Sequence, residues 1–430
     1  MSLVDRNGER VVFNDDRDQY DENPLIEHTF SGGGIYGVRL DQYRGPRGFT
    51  FGKNNAYLLR ISQLPRVRAV APLGARRGSV ARFRVMGSGL AGVSSVYLTE
   101  LRRGEYSRMT YPYTMPIRFR DDTPVIPRME GKIISAGEGQ VDVSIAIPAA
   151  ASVGLWKLWV AGASGVAEGL RVEIDDVLQI SEGGPLPPSF PYVVNGVLGK
   201  ARERDTYSIL AKAGVPIYVS TLSAQLGAPY LDTVLILKDA AGKKLAENDD
   251  VVAGWGGLLG NPDSSLFFTP AVDGALQLEV RDRLNRGGDL YPYRLRFAAR
   301  PPGFQLFTTP ENLTVNRGGT AILKVHLVRE TGFVGEVEVW VDGVEGLRGK
   351  FRADQLFEPN ADGADMLIPE MELRVSGLDK AGVVPLRVWG RGPDGVVVEG
   401  HTATMIGPIY QGDWNFYRRP VANITLTVVE

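Results

Sequence analysis

The sequence predicts an all-β protein built from tandem antiparallel β-sandwiches, and three observations carry that prediction. Apolar and polar residues alternate in several short runs, which is the pattern of a half-buried strand. The clearest runs are Val141–Ile147, Trp156–Val160, Leu276–Val280, Val337–Val341 and Ile424–Val428. No window of about a dozen residues keeps a helical period without an interrupting glycine or proline. The chain also carries 52 glycines and 27 prolines in 430 residues, which suits frequent turns.

Length and composition limit the number of domains and the possible chemistry. A chain of 430 residues exceeds the roughly 250–300 residues that one hydrophobic core supports, so about three units are expected. The 48 basic and 50 acidic residues nearly cancel, which argues against a nucleic-acid-binding protein. Cysteine is absent and only three histidines occur, so disulfides, thiolate metal sites and cysteine nucleophiles are excluded.

An internal repeat organises the chain. Leu3–Asp16 aligns without gaps on Leu237–Asp250, and both end in Asn-Asp-Asp. The register resumes after a length change, where Ala56–Ile61 matches Pro292–Phe297. In the second copy the repeat is preceded by Val194–Gly214, whereas the first copy begins at residue 1. We therefore expect the first copy to lack its front half.

Residues 190–299 resemble a bacterial pre-peptidase C-terminal (PPC) domain. The resemblance rests on five ordered motifs: Val194–Gly196, Arg204–Tyr207, Leu245–Asp250, Asp273-Gly274 and Leu278–Asp282. Residues 3–62 resemble the carboxy-terminal half of the same family. The resemblance implies a jelly-roll-like β-sandwich of the kind appended to secreted proteases and other cell-surface proteins.

Two further stretches resemble immunoglobulin-like modules. Residues 66–175 are similar to an IPT/TIG domain through Val70–Gly74, Val85–Leu90 and Gly154–Val160. Residues 303–430 resemble a further immunoglobulin-like module through Leu313–Gly319 and Gly332–Gly335. The predicted layout is a half-module at residues 1–64 and three modules at 65–176, 177–300 and 301–430. Joints are expected near Leu64-Pro65, Pro185–Pro188 and Pro301-Pro302.

Two conspicuous motifs have structural interpretations. Gly87–Gly92 fits the GxGxxG pattern of dinucleotide sites, but a β-like run follows it where such sites need a helix. A glycine turn between strands is therefore predicted. Arg66–Arg84 contains six arginines and no acid, and Arg82 and Arg84 alternate with apolar residues. That spacing favours the solvated face of a strand over a phosphate-binding patch.

An acidic motif leaves two alternatives open. Asn14–Asp18 with Asp21, and its repeat Asn248–Asp250, offer the hard oxygen ligands that Ca²⁺ prefers. The same residue types also cap turns by accepting hydrogen bonds from nearby backbone. The motif lacks the glycine and closing glutamate of an EF-hand loop, so turn capping is preferred. No metal site and no cofactor is predicted, with calcium as the alternative.

Candidate ligand-binding residues lie in the polar loop Tyr410–Arg419. Trp414 and Tyr417 could stack on a sugar ring or anchor a protein partner, because aromatic residues in loops are favoured at binding hot spots. The alternative is that these side chains pack on their own module.

No sequence signature of a nucleophile, base or catalytic metal occurs, so no catalytic residue is predicted. The expected function is that of non-catalytic accessory modules of a larger secreted or cell-surface bacterial protein, acting as spacers and binding protein or polysaccharide. The alternative is a fragment of a secreted peptidase or glycan-active enzyme with an unrecognised carboxylate site.

The expected setting is extracellular, cell-surface or periplasmic, and the expected state is a monomer. Met1–Arg6 has no signal-peptide character, and no apolar run of about 18 residues predicts a membrane span. We therefore expect the chain to be a segment of a larger polypeptide.

Overall fold

The prediction of an all-β fold is confirmed. The computed structural model describes residues 1–15, 24–41, 57–100, 128–226, 228, 231–249, 263–300, 303–310, 312–329, 333–354, 358–359, 366–367, 369–376, 380–405, 416–419 and 424–430. These residues form strands and one short 3-10 helix, Ala224–Leu226. Among them, no helix has the length and hydropathy needed to cross a lipid bilayer.

The amino-terminal residues 1–63 belong to a different compact unit from residues 64–100 and 128–430. Their described part holds three short strands: β1 Ser2–Val4, β2 Arg10–Phe13 and β3 Gly37–Arg39. The strands form one antiparallel sheet in the order β2-β1-β3. A tight turn with Gly8 at φ +82° joins β1 to β2, as the Asn-Gly pair predicts.

Residues 66–175 form an eight-stranded sheet that folds over on one core. Its strands are β4 Arg66–Ala71, β5 Gly74–Arg76, β6 Ser79–Ser88, β7 Val93–Glu100, β8 Arg128–Ala136, β9 Gln140–Ile147, β10 Gly154–Gly162 and β11 Gly165–Asp175. The order is β4-β6-β9-β8-β7-β10-β11-β5. Phe83 and Val143 from one half of the sheet share a core with Leu98 and Leu158 from the other. The alternation in β9 and β10 therefore buries every second side chain, as predicted.

Residues 178–298 form a two-sheet sandwich. Its strands are β12 Leu178–Ser181, β13 Tyr192–Val197, β14 Asp205–Ala211, β15 Ile217–Leu222, β16 Thr233–Lys238, β17 Lys244–Asn248, β18 Ser265–Phe268, β19 Gly274–Asp282 and β20 Pro292–Ala298. One sheet has the order β12-β13-β20-β15-β18 and the other β14-β19-β16-β17. Tyr192 of the first sheet and Ile209 of the second lie in the same core.

The junction between these two modules is short and contains a buried ion-pair cluster. Only Asp176 and Val177 separate β11 from β12, which pairs with β13 of the following module. Arg294 of β20 is fully buried and donates from Nε to Glu173 at 2.8 Å, from Nη1 to Gln179 at 2.7 Å, and from Nη2 to Asp175. The junction therefore behaves as part of the core, since a buried guanidinium is tolerated only when its donors are paired.

The prediction of a joint between modules at Pro185–Pro188 is wrong. These prolines connect β12 to β13, which are neighbours in one sheet. Proline there fits a loop between parallel strands and does not mark a boundary between modules.

Residues 304–429 form the last sandwich. Its strands are β21 Phe304–Thr309, β22 Asn312–Asn316, β23 Thr320–Arg329, β24 Val337–Asp342, β25 Arg348–Phe351, β26 Glu358–Pro359, β27 Met366–Leu367, β28 Glu370–Ser376, β29 Gly382–Arg391, β30 Val397–Glu399, β31 His401–Met405, β32 Phe416–Arg419 and β33 Ile424–Val429. The main sheets run β28-β23-β21-β31-β32 and β22-β33-β29-β24-β25, with β30 beside β29. Leu323 and Val388, from opposite sheets, share one core.

Candidate functional site

The ligand-binding residues predicted from sequence are only partly placed by the structure. Trp414 lies outside the described residues. Tyr417 lies in β32, where its backbone pairs with Thr404 of β31. The hypothesis that these two residues bind a ligand stays a prediction.

In the described part of the two Asn-Asp motifs, the asparagine side chains accept hydrogen bonds from the backbone of other segments. Asn14 Oδ1 accepts the backbone N–H of Leu25 at 2.7 Å, and Asn248 Oδ1 accepts that of Ser265 at 2.8 Å. Asp16, Asp18, Asp21 and Asp250 lie outside the described residues. Within the described part of the chain, no group of three or more His, Asp or Glu side chains is arranged to hold a metal ion.

The two structural interpretations from sequence are confirmed. The glycine pattern spans the turn between β6 and β7, and Gly89 there has φ +65°. Arg82 and Arg84 are exposed on β6 while Phe83 is buried between them. Arg84 pairs with Asp142 on β9 at 3.0 Å, so these cations belong to a solvated sheet face.

A candidate binding surface lies on the outer face of the last module. The exposed or half-exposed side chains of three neighbouring strands meet there, and we call this surface the Trp340 face: Trp340 of β24, Trp389, Arg387 and Arg391 of β29, and Arg348 of β25. Trp340 lies directly opposite both Trp389 and Arg348 in the strand register. Alternation along each strand places these residues outward while their neighbours Val339 and Val388 fill the core.

The two indoles form a stacked pair. Their ring centroids are 6.5 Å apart and their planes differ by 18°. The Nε1 of Trp389 donates to Asp342 Oδ2 at 2.7 Å, which fixes the orientation of that ring. The Arg391 guanidinium carbon lies 5.2 Å from the Trp340 centroid, and that of Arg387 lies 5.0 Å from the Trp389 centroid. Stacking and cation–π contacts therefore hold a broad aromatic surface in place.

Three of the cations around the indoles are paired with carboxylates. Arg387 contacts Glu399 at 2.8 Å, and Arg391 lies 3.8 Å from Glu338. Lys350 contacts Glu336, and this hydrogen bond raises the pKa of the Lys350 ammonium group. The rim therefore offers both donors and acceptors without a strong field of either sign.

Two shallow depressions meet at Trp340 and Arg348. One, of about 330 Å³, runs along the turn from β24 to β25 and is lined by Asp342 and Leu347. The other, of about 510 Å³, lies over Glu338, Lys350 and Arg391. Trp340 is thus a half-exposed aromatic side chain between two depressions lined by both polar and apolar groups, an arrangement that suits a ligand with both apolar and hydroxyl-bearing surfaces.

A similar aromatic pair on residues 66–175 is covered by its own cations. Tyr97 and Trp159 lie opposite each other on β7 and β10, with ring centroids 6.5 Å apart. Arg128 sits 3.5 Å from the Tyr97 centroid, and Lys157 sits 4.4 Å from that of Trp159. These distances are shorter than those on the Trp340 face, so this pair has less ring surface left for a ligand.

The sequence contains a local signal for the Trp340 face. The alternation in Val337–Val341 places Trp340 on the polar side of its strand, and Leu386–Gly390 does the same for Trp389. Trp389 and its hydrogen-bond partner Asp342 on the other strand are 47 residues apart in the sequence, so the register of the two strands could not be read from local pattern.

Comparisons with known proteins give limited similarity. No protein-family model matches the chain, so the resemblance to PPC and IPT/TIG domains stays a prediction. A stretch of 84 residues, 20% of the chain, is 36% identical to a probable subtilase-type serine protease of Deinococcus radiodurans. The chain covers 10% of that protease.

Among solved structures, the chain is similar to the mixed-linkage glucan utilization locus protein SGBP-B of Bacteroides ovatus in complex with a mixed-linkage heptasaccharide, at 11% identity and a TM-score of 0.19, over 55% of this chain and 75% of that one. It is also similar to fibronectin(III)-like modules of Clostridium thermocellum CbhA, at 14% identity and a TM-score of 0.16, over 47% and 89%. TM-scores this low assign no function.

Proposed function

We propose that this chain supplies non-catalytic binding modules to a larger secreted or cell-surface bacterial protein, and that the Trp340 face binds polysaccharide. The observation that carries the proposal is the half-exposed Trp340, which is stacked with Trp389 and lies between two depressions of mixed polar and apolar lining. The short match to a subtilase-type protease supports an accessory role beside a peptidase. Because that match is confined to a small part of the protease, the proposal carries over no proteolytic activity.

A sugar ring fits the chemistry of this face. A pyranose presents a flat face of C–H groups and a rim of hydroxyls. An indole offers a large, rigid apolar surface with a negative face, which attracts the polarised C–H groups. The hydroxyls then find paired donors and acceptors at Arg391 and Glu338 on one side of Trp340 and at Asp342 on the other.

The charge pattern favours a neutral polysaccharide over a polyanion. Arg387, Arg391 and Lys350 each contact a carboxylate. A polyanion would have to displace those carboxylates and bring its own charge close to them, which is unfavourable. A neutral chain can use the same groups as hydrogen-bond partners without breaking the ion pairs.

The proposal is tested by affinity electrophoresis of the full chain in gels containing barley β-glucan, xylan, galactomannan or dextran. At least one polysaccharide should retard the protein, and Trp340→Ala should weaken that retardation at least about tenfold, because the stacking surface is lost. Trp159→Ala is the matched control, since that half-exposed tryptophan is already covered by Lys157.

The proposal fails if none of the four polysaccharides retards the protein, or if Trp340→Ala and Trp159→Ala behave alike. Release of reducing sugar from these polysaccharides, or cleavage of casein by the purified chain, would contradict the non-catalytic role. Unfolding of each variant followed by calorimetry separates loss of binding from loss of structure.

A further inference from the structure

The two depressions of the Trp340 face lie one after the other along β24. Trp340 and Arg348 line both of them, so the depressions meet at these two side chains. From Trp340 the first depression extends to Asp342 and the turn that follows, and the second extends to Glu338. These three residues of β24 alternate, so their side chains point to the same side of the sheet. At about 3.3 Å per residue, Glu338 and Asp342 are about 13 Å apart along the strand, which is longer than one sugar ring.

Arg348 is placed to contact a ligand that lies over Trp340. It is directly opposite Trp340 in the register of β24 and β25, and its side chain is exposed. Arg387, Arg391 and Lys350 each contact a carboxylate. Among the described residues, the Arg348 side chain has no such partner. Its N–H donors are therefore available to the hydroxyls of a ring stacked on Trp340.

Both depressions also carry hydrogen-bonding groups beyond the indole. The exposed carboxylate of Glu345 lines the first depression and has no hydrogen-bond or ion-pair partner in the described part of the chain. Glu338 and Lys350 line the second depression. They form ion pairs with Arg391 and Glu336, respectively, and keep further lone pairs and N–H groups for a ligand. A sugar ring on either side of the indole thus meets both donors and acceptors.

We propose that the Trp340 face binds an internal stretch of a neutral polysaccharide chain, which runs along β24 through both depressions. This inference rests on the proposed function and specifies which part of the polysaccharide is bound. One ring stacks on Trp340, and Arg348 donates hydrogen bonds to the hydroxyls of that ring. The rings before and after it lie in the two depressions, where Glu345 serves one and Lys350 the other.

A chain end is the poorer ligand for this geometry. It fills one depression and leaves the polar groups of the other in water. A chain that passes over Trp340 fills both, and once its central ring is bound the neighbouring rings reach the depressions as intramolecular steps. Affinity should therefore grow with the number of rings until both depressions are filled.

The test is isothermal titration calorimetry of the full chain with the di-, tetra- and hexasaccharides of whichever polysaccharide retards it among barley β-glucan, xylan, galactomannan and dextran. The tetrasaccharide should bind at least about tenfold more tightly than the disaccharide, because the disaccharide covers Trp340 and one depression. The hexasaccharide should bind within about threefold of the tetrasaccharide, since its extra rings lie beyond the depressions.

Two variants test the depressions separately. Lys350→Ala should weaken tetrasaccharide binding at least about fivefold and disaccharide binding less than about twofold, because the shorter ligand can use the first depression. Glu345→Ala should do the same through the other depression. Lys324→Ala is the matched control, since Lys324 also pairs with a glutamate, Glu370 at 2.8 Å, but lies on β23 of the other sheet. It should leave both affinities unchanged.

The outcomes separate this inference from the proposed function. Equal affinity for the di- and tetrasaccharides, or an equal effect of Lys350→Ala on both, overturns internal-chain binding while retardation by the polysaccharide still supports the proposed function. Stronger retardation after partial hydrolysis of the polysaccharide at constant mass also overturns it, because hydrolysis multiplies chain ends. Absence of retardation by all four polysaccharides overturns both. Calorimetric melting shows whether each variant is folded, and the length series on the unaltered chain needs no variant.

Discussion

The two copies of the repeat show how much of a fold a local sequence can determine. Residues 2–13 and 236–247 make the same hairpin with the same bulge and the same aspartate-centred turn. The second hairpin lies in a two-sheet core with strands that precede it in the chain, whereas the described part of residues 1–63 forms one three-stranded sheet. Local chemistry is thus sufficient for the turn, and distant segments decide whether the hairpin is buried.

The largest expected difference between the copies is at Arg294, whose counterpart by the repeat is Leu58. Arg294 is 0% exposed and Leu58 is 88% exposed. Arg294→Ala should destabilise residues 64–300 by about 4 kcal/mol, because it leaves Asp175 buried without its cation. Leu58→Ala should change stability by less than about 0.5 kcal/mol. Calorimetry of the full chain checks both, and similar effects would show that the repeat pairs the wrong positions.

Next in size is the contrast between Leu278 and Val38, which pair with the equivalent residues Leu237 and Leu3 of the repeat. Leu278→Ala should cost about 3 kcal/mol, since it removes a side chain from the centre of a closed core. Val38→Ala should cost less than about 1 kcal/mol, because Val38 is already half in water. Urea unfolding monitored by hydrogen exchange measures the free energy of unfolding of each unit separately. A cost at Val38 as large as that at Leu278 would mean that the half-module already has a closed core.

A pH dependence is expected from Asp205 of β14, which lies in the second copy outside the aligned segments of the repeat. Burial raises its pKa to about 6 although Tyr293 donates a hydrogen bond to it at 2.7 Å. The folded-state pKa lies above the unfolded value, so this group stabilises the fold at low pH and loses that contribution as pH rises through about 6.

Asp205→Asn should therefore raise the stability of the 178–298 module at pH 8 by about 1 kcal/mol, discounted for partial exposure, and flatten its melting temperature between pH 5 and pH 8. Melting curves at the two pH values check this. An unchanged difference between the two pH values in the Asn variant would contradict the assignment.

The smallest effect should be equal in the two copies. Gly8 and Gly242 both have φ +82°. Alanine at either position should destabilise its own hairpin by about 1 kcal/mol, because a Cβ is strained at this backbone angle. Hydrogen exchange of each hairpin measures the two effects, and a clear inequality would show that the turns are held differently.

Strand positions and the repeat were predictable because they depend on alternation and on turn residues. Gly8, Asp5 and the apolar residues of β9 carry that information within a few positions of themselves. The buried junction was not predictable, since Arg294 meets Asp175 from 119 residues away and a charged residue in a strand ordinarily indicates a solvent-facing position. The pairing of β12 with β13 is also not visible in the local sequence, and the prediction of a joint at Pro185–Pro188 was wrong for that reason.

The candidate site likewise depends on contacts between segments that are distant in the sequence. Alternation alone placed Trp340 on the outer side of its strand, but the partner strand that carries Trp389 could not be identified from pattern. Ligand-binding residues were predicted in the loop Tyr410–Arg419 because its aromatic residues are close together in the chain. The aromatic residues of the Trp340 face become adjacent only after the strands pair.

The central claim is that one hairpin occurs twice, once in a two-sheet core and once in a three-stranded sheet of the described residues. Hydrogen exchange of the full chain tests it most directly, by comparing the amides of β1 with those of its counterpart in β16. We predict that the amides of Ile236–Lys238 exchange at least about a hundredfold more slowly than those of Ser2–Val4, because the first hairpin frays without a closed core. Equal protection of the two strands would contradict the account.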